Sequence, residues 1–283
     1  MLPNLIIIGA MKCGTTSLHN YLSLHPEIYM SETKEINYFS KQDIYLNGIN
    51  WYETFFNTNL KVVGESSQSY SKYHVWPNTP KRIFKDLKNN IKFLYILRDP
   101  IKRIYSHYNE MQSQNCAPSS LEDYILKDLI NNEIVLSSCY FKQISQFLKF
   151  YSIDKFKIVT LEELEKNRLS ILNDIFDFLG VKKIKDEKLF NFNSNTSDEK
   201  KTRTNVGQFI VENKIIIKLK KKTPHRIKTF FKQKRIFQKI LFKDIKRNVK
   251  LSDYTESELK KIFKKDVNKL RKLTGLEFNE WSV

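Results

Sequence analysis

Leu5-Ile6-Ile7-Ile8-Gly9-Ala10-Met11-Lys12-Cys13-Gly14-Thr15-Thr16-Ser17-Leu18 is the stretch that decides the fold. Leu5 to Ile8 is a continuous apolar run rich in β-branched residues, which predicts a strand buried on both faces. Gly9 breaks it, Gly14 permits a tight backbone path, and from Thr15 the apolar positions Leu18, Tyr21 and Leu22 recur at helical spacing. Strand, glycine loop and helix N-terminus together aim backbone N–H groups and a helix dipole at a phosphate or sulfate. The spacing resembles Gly-x-x-x-x-Gly-Lys-Ser/Thr but departs from it at one place. Thr15 stands where a nucleotide triphosphatase carries its lysine, and Lys12, inside the loop, is the lysine this stretch has.

Working outward, the same alternation repeats. Ile28–Met30 is a short extended piece, Lys61–Glu65 a second strand running into Ser66–Tyr70, and Ile91–Leu97 the clearest strand of all, ending at Arg98-Asp99-Pro100. Phe156–Val159 makes a further strand. Helical patterns fall at 80–87, from Ile101 onward, at 120–130, at 138–151, at 170–179 with Gly180 as C-cap, and at 256–273. Strands alternating with helices predict an α/β fold, P-loop-like and three-layered, with a central, mainly parallel sheet flanked by helices. Ligands of such sheets bind at the carboxyl ends of the strands, where Gly9–Ser17, Glu65–Tyr70 and Arg98–Ser106 all fall.

The charge is uneven. The 283 residues carry a net +18, yet Glu199–Lys250 holds 18 Lys+Arg against three acids, a balance of +15, and the other 231 residues carry +3. That segment predicts contact with a polyanion or an anionic membrane surface. Between Ile215 and Leu251 its apolar residues, among them Ile227, Phe230, Phe231, Phe237, Ile240 and Leu241, recur at helical spacing, so it reads as a basic amphipathic excursion, and 193–205 as a loop before it. No apolar run approaches the ~20 residues of a membrane span. The first strand begins within a few residues of Met1, which predicts no secretory leader. Cys13, Cys116 and Cys139 are too few and too scattered for a disulfide framework or a zinc site. The expected location is cytoplasmic, with a peripheral placement at the inner face of the membrane as its variant.

Three features in order make the chain resemble the sulfotransferases that use 3′-phosphoadenosine 5′-phosphosulfate, in the branch of the heparan sulfate O-sulfotransferases and bacterial carbohydrate sulfotransferases. Gly9–Ser17 is similar to that family's 5′-phosphosulfate loop. Leu97-Arg98-Asp99-Pro100, with Arg103 and Ser106 beyond it, resembles the 3′-phosphate motif. Lys34-Glu35-Ile36-Asn37-Tyr38-Phe39 resembles the branch's acid-then-aromatic segment, and the end of the chain, with Phe263, Gly275, Phe278 and Trp281, resembles its closing helix.

The resemblance implies one domain over 1–283, a core of 1–195 plus the helix at 255–283, interrupted by the excursion at 200–250. It implies donor binding by Lys12, Cys13, Gly14, Thr15, Thr16, Ser17, Arg98 and Ser106, with Lys201 or Arg203 closing over the 3′-phosphate, and no metal. Sulfuryl transfer is a matter of positioning and charge stabilisation, so Glu35 is the candidate base, removing the acceptor's proton, and Lys12 the cation at the leaving group. His107 follows the phosphate-binding serine directly and reads as structural. One position departs from the branch: after the second strand its enzymes resemble Glu-Lys-Thr-Pro-x-Tyr, whereas this chain has Glu65-Ser66-Ser67-Gln68-Ser69-Tyr70. The implied acceptor is a carbohydrate hydroxyl, on a polysaccharide or glycolipid, and nucleic acid is not an expected partner. Two rivals remain. A nucleotide or small-molecule kinase calls for a lysine directly after Gly14. A non-catalytic polyanion or membrane binder acting through 200–250 leaves residues 5–106 without a role.

Overall fold

A computed structural model describes residues 1–190, 201–203, 242–244 and 249–283. The sheet is formed by β1 (Leu5–Gly9), β2 (Ile28–Met30), β3 (Val62–Ser66), β4 (Lys92–Leu97) and β5 (Phe156–Thr160), in the order β2-β3-β1-β4-β5 with every pairing parallel. β1 is therefore central, pairing Leu5 with Gly64 on one side and with Lys92 on the other.

Around the sheet run α1 (Thr15–Ser23), α2 (Gln42–Tyr45), α3 (Ile49–Glu53), α4 (Thr79–Leu87), α5 (Pro100–Ser113), α6 (Leu121–Leu126), α7 (Glu133–Leu136), α8 (Tyr140–Phe147), α9 (Leu161–Lys166), α10 (Arg168–Leu179) and α11 (Asp253–Thr274). Successive strand residues point to opposite faces, and the core divides accordingly. Ile6, Ile8, Phe93, Tyr95 and Leu97 face Tyr52 of α3, Ile83 of α4, Ile144 and Phe147 of α8, and Val267 and Leu270 of α11. Leu5, Ile7, Leu94 and Ile96 face Leu18 and Leu22 of α1 and Leu172, Ile175 and Phe176 of α10. Each fully buried Leu, Ile or Phe contributes about 1.5–3 kcal/mol, so both helical layers are held by the same three inner strands.

The expected helix at 120–130 stops at Leu126 and resumes as the short α7, because Asn132 accepts from the Ile134 N–H and caps a new start. The helix expected at 138–151 is confined to Tyr140–Phe147. Most of the basic excursion lies outside the described residues. Two parts of it form an antiparallel ribbon instead of the expected loop and helix: β6 (Lys201–Arg203) pairs with β7 (Phe242–Asp244), Arg203 opposite Phe242, and β6 lies beside α5. Cross-strand pairing overrides the local helical period there.

Candidate functional site

The carboxyl ends of β1, β3 and β4 meet at one edge of the sheet, and two walls rise from it. The first is the loop leaving β1. Gly9 takes φ 144° and lies so near the turn after β3 that a Cβ there would stand 2.1 Å from Ser71 Oγ. Gly14, at φ 89°, is the N-cap of α1, and a Cβ would stand 2.7 Å from Leu161 Cδ1. Neither position tolerates a side chain. α1 opens on Thr15, Thr16 and Ser17 with no acid in its first turn, so its leading N–H groups face the site without an internal carboxylate.

Lys12, also at positive φ, turns its ammonium to Glu110 of α5, with Nζ to Oε2 at 2.8 Å. Cys13 is buried and donates to no anion; burial pushes its thiol up to about 11, and its Sγ lies 3.6 Å from the Tyr140 hydroxyl. That hydroxyl donates to the Arg98 carbonyl at 2.7 Å. Asp99 caps α5 by accepting from the N–H groups of Ile101 and Lys102 (2.8 and 3.0 Å), and its other oxygen accepts from Ser282 N–H at 2.5 Å. Trp281 stacks on Phe278 and packs against Tyr140. The end of the chain thus clamps the β4–α5 corner that carries Arg98, half-buried, and Ser106, two turns along α5.

The second wall is the segment 31–40. Ser31 N–H donates to Gly64 O and Glu35 N–H to Ser66 O, each at 2.9 Å, so it runs beside the end of β3. Glu35 and Asn37 both sit at φ 57°, an uncommon conformation for residues other than glycine. A single buried carboxylate anchors this geometry. Glu65 accepts from Tyr52 (2.8 Å), Tyr70 (2.6 Å) and Ser67 (2.7 Å). Ser67 in turn accepts from Asn37 N–H at 3.0 Å, and Tyr70 from Phe39 N–H at 3.4 Å. Burial pushes Glu65 up to about 7, against the pull of its three hydroxyl donors.

Glu35 itself accepts from Gln68 N–H at 3.1 Å. Burial raises its carboxyl above the ordinary range, opposed by Lys34, the Gln68 N–H, Lys72 and Lys41. The two walls touch through Lys34, whose Nζ donates to Thr16 Oγ1 at 2.9 Å and lies 3.9 Å from Glu35 Oε1.

The residues of the loop, Glu35 and the β4–α5 corner are therefore assembled at one edge. Lys201 and Arg203 belong to β6, whose backbone lies beside that corner's helix. His107 is buried against Arg103 and pushed down to about 2 by desolvation and that guanidinium, so it is a neutral structural group. Sequence reading missed Glu110, Lys34 as a bridge, and the Glu65 cluster. Glu110 is 98 residues from Lys12 and carries no local mark. Glu65 does carry one, a carboxylate closing an apolar strand. No helix of the described residues is long and apolar enough to cross a membrane.

Comparison with known proteins accords with this edge. Membrane-associated sulfotransferase kil1 of Dictyostelium discoideum is 40% identical over 147 residues, covering 49% of this chain and 30% of that protein. Heparan sulfate glucosamine 3-O-sulfotransferase 5 of Mus musculus is 30% identical over 191 residues, 64% of this chain and 54% of that protein. The chain spans about half or less of the length of these relatives. The crystal structure of a sulfotransferase from Alicyclobacillus acidocaldarius matches over the whole of both chains with a TM-score of 0.68 and 21% identity, a likeness of fold. A family model described as the sulfotransferase domain matches residues 2–247, and the chain belongs to that family.

Proposed function

We propose that this chain transfers a sulfuryl group from 3′-phosphoadenosine 5′-phosphosulfate to a carbohydrate hydroxyl, by in-line displacement, with Glu35 as the base. The observation that carries this is the meeting of an anion-binding helix N-terminus with a raised carboxylate on the facing wall, within reach of one lysine. The loop suits such a donor: its first turn has hydroxyls and no acid, and both bends are made by glycines whose missing Cβ leaves the backbone open.

The donor supplies a sulfur already activated by its bond to a phosphate oxygen. The N–H groups of Cys13 to Ser17 and the hydroxyls of Thr15, Thr16 and Ser17 hold the 5′ end. Arg98 holds the 3′-phosphate through its two-pronged guanidinium, with Ser106 beside it and Lys201 and Arg203 on the neighbouring ribbon. Glu35 takes the acceptor's proton as its oxygen bonds to sulfur; its raised affinity for protons suits that task near neutral pH. Lys12 neutralises the charge left on the phosphate oxygen, which keeps the electron pair of the broken bond to sulfur. Cys13 stays a protonated thiol and contributes backbone alone.

The acceptor class rests on the relatives, one of which is named for heparan sulfate glucosamine. The balance of +15 over Glu199–Lys250 suits an acceptor bearing carboxylates or sulfates. Calorimetric titration with 3′-phosphoadenosine 5′-phosphate, against ATP with magnesium as control, tests the donor site. Tight, metal-independent binding that is lost when the 3′-phosphate is removed is expected. Preference for ATP with magnesium overturns the reading.

A further inference from the structure

We propose that Lys34 is a catalytic residue: the cation that holds the oxygens of the sulfuryl group during its transfer, supplied by the wall that carries the base. This rests on the donor site proposed above and assigns one more group to it.

The placement argues it. Lys34 Nζ donates to Thr16 Oγ1 at 2.9 Å, and Thr16 is the second residue of α1, whose N-terminus faces the site. The same Nζ lies 3.9 Å from Glu35 Oε1, too far for a hydrogen bond, so the carboxylate steadies the ammonium without taking its protons. An ammonium has three donors. One is used on Thr16, which leaves others for an anion arriving between the walls. The side chain is 22% exposed, enough for contact with a ligand and little enough for the charge to act in a medium less screening than water.

Position then separates Lys34 from Lys12. Lys12 leaves the donor loop itself and points toward α5, to Glu110. Lys34 crosses from the opposite wall. In an in-line displacement the group lying between the donor's phosphate and the base is the one being transferred, and Lys34 spans that gap. The turn after β3 puts no cation there. Ser67 is turned inward to Glu65 and Asn37, and Lys72 is paired with Glu133 at 3.0 Å. Lys34 does not alter the balance of the reaction: the new oxygen–sulfur bond, the broken sulfur–oxygen bond and the proton on Glu35 are as before. It offsets charge on the non-bridging oxygens while the sulfur is loosely held at both ends.

Two nucleotides distinguish this role from every other, because the phosphosulfate donor and 3′-phosphoadenosine 5′-phosphate differ by the sulfuryl group alone. Calorimetry with both, on wild type, Lys34→Met and Lys34→Arg, reads the difference. Lys34→Met is expected to weaken the phosphosulfate at least tenfold and the bisphosphate less than threefold, and Lys34→Arg to recover most of the loss. Equal weakening of both nucleotides would make Lys34 a phosphate ligand or a prop for the loop, and the proposal would be overturned. No change in either overturns it equally. A wild-type protein that binds neither nucleotide sinks the donor-site reading itself, a different failure that takes this proposal with it.

Discussion

The two walls of the site are built by different means. The donor wall is local: a strand, two glycines and a helix start within fourteen residues, Leu5 to Leu18, shaped by backbone conformation. The base wall is assembled at a distance. Its positive-φ residues Glu35 and Asn37 are held by hydrogen bonds from Gln68, Ser67 and Ser69, and behind them stands Glu65, tied to Tyr52 and Tyr70. A wall made of backbone tolerates most side-chain changes other than at its glycines. A wall made of buried side-chain hydrogen bonds fails when one donor or acceptor is lost. The contrast predicts which substitutions reach chemistry without reaching donor binding.

Glu35→Gln should have the largest effect. The amide keeps the shape and can still accept from Gln68 N–H, but it cannot take a proton. Transfer from radiolabelled donor to heparan sulfate should fall by about 10²–10⁴, with affinity for 3′-phosphoadenosine 5′-phosphate unchanged. Normal turnover in this variant would remove Glu35 from the mechanism.

Glu65 comes next and is read through pH. Burial raises its folded-state value from 4.5 to about 7, so over that window the folded chain binds more protons than the unfolded one. The stability this group contributes is present in full below about 4.5 and is lost as pH rises toward 7, on the order of 3 kcal/mol in all. Other buried carboxyls, among them Asp266 at about 6, give a background slope of the same sign. Urea unfolding of wild type and Glu65→Gln between pH 4.5 and 7.5 isolates the difference: the wild-type slope should be the steeper. Parallel curves would mean that Glu65 titrates alike folded and unfolded.

A smaller effect should follow from Ser67→Ala. It removes one of three donors to Glu65 and the acceptor for Asn37 N–H, for a cost of about 1–2 kcal/mol in chemical unfolding. The Glu65 pair with Tyr52 and Tyr70 survives, so the fold should too. Donor affinity should stay put while transfer declines. A fall in donor affinity of the same size would contradict the separation of the two walls.

What was legible in the sequence follows the same division. The apolar run Leu5–Ile8, the spacing of Gly9 and Gly14, and Asp99-Pro100 at a helix start are local signals, and the strands and both donor motifs lie where those signals put them. Glu35 was legible through its aromatic neighbours Tyr38 and Phe39, which pack into the core against Tyr52. What holds Glu35 was not. Tyr52, Glu65 and Tyr70 come from three separate elements, and no short-range pattern says that their hydroxyls and carboxylate converge. Serine at 67, read as a departure, turns out to have a definite task, because its hydroxyl both donates and accepts where an ammonium can only donate.

Glu110 is the exception on the donor wall, a long-range partner in an otherwise local structure, and it gives the smallest predicted effect. Its carboxylate holds Lys12 at 2.8 Å, with the two side chains 18% and 16% exposed. An anionic donor therefore competes with Glu110 for the lysine's charge. Glu110→Gln keeps an oxygen that can accept from Lys12 Nζ, so the lysine's position is preserved while its charge is no longer offset. Partly exposed pairs of this kind are worth up to about 1 kcal/mol, so affinity for 3′-phosphoadenosine 5′-phosphate should rise by about threefold, more at low salt than at high. A loss of affinity would reverse the assignment: Glu110 would then aim Lys12 at the donor, and the donor wall would depend on a distant side chain as much as the base wall does.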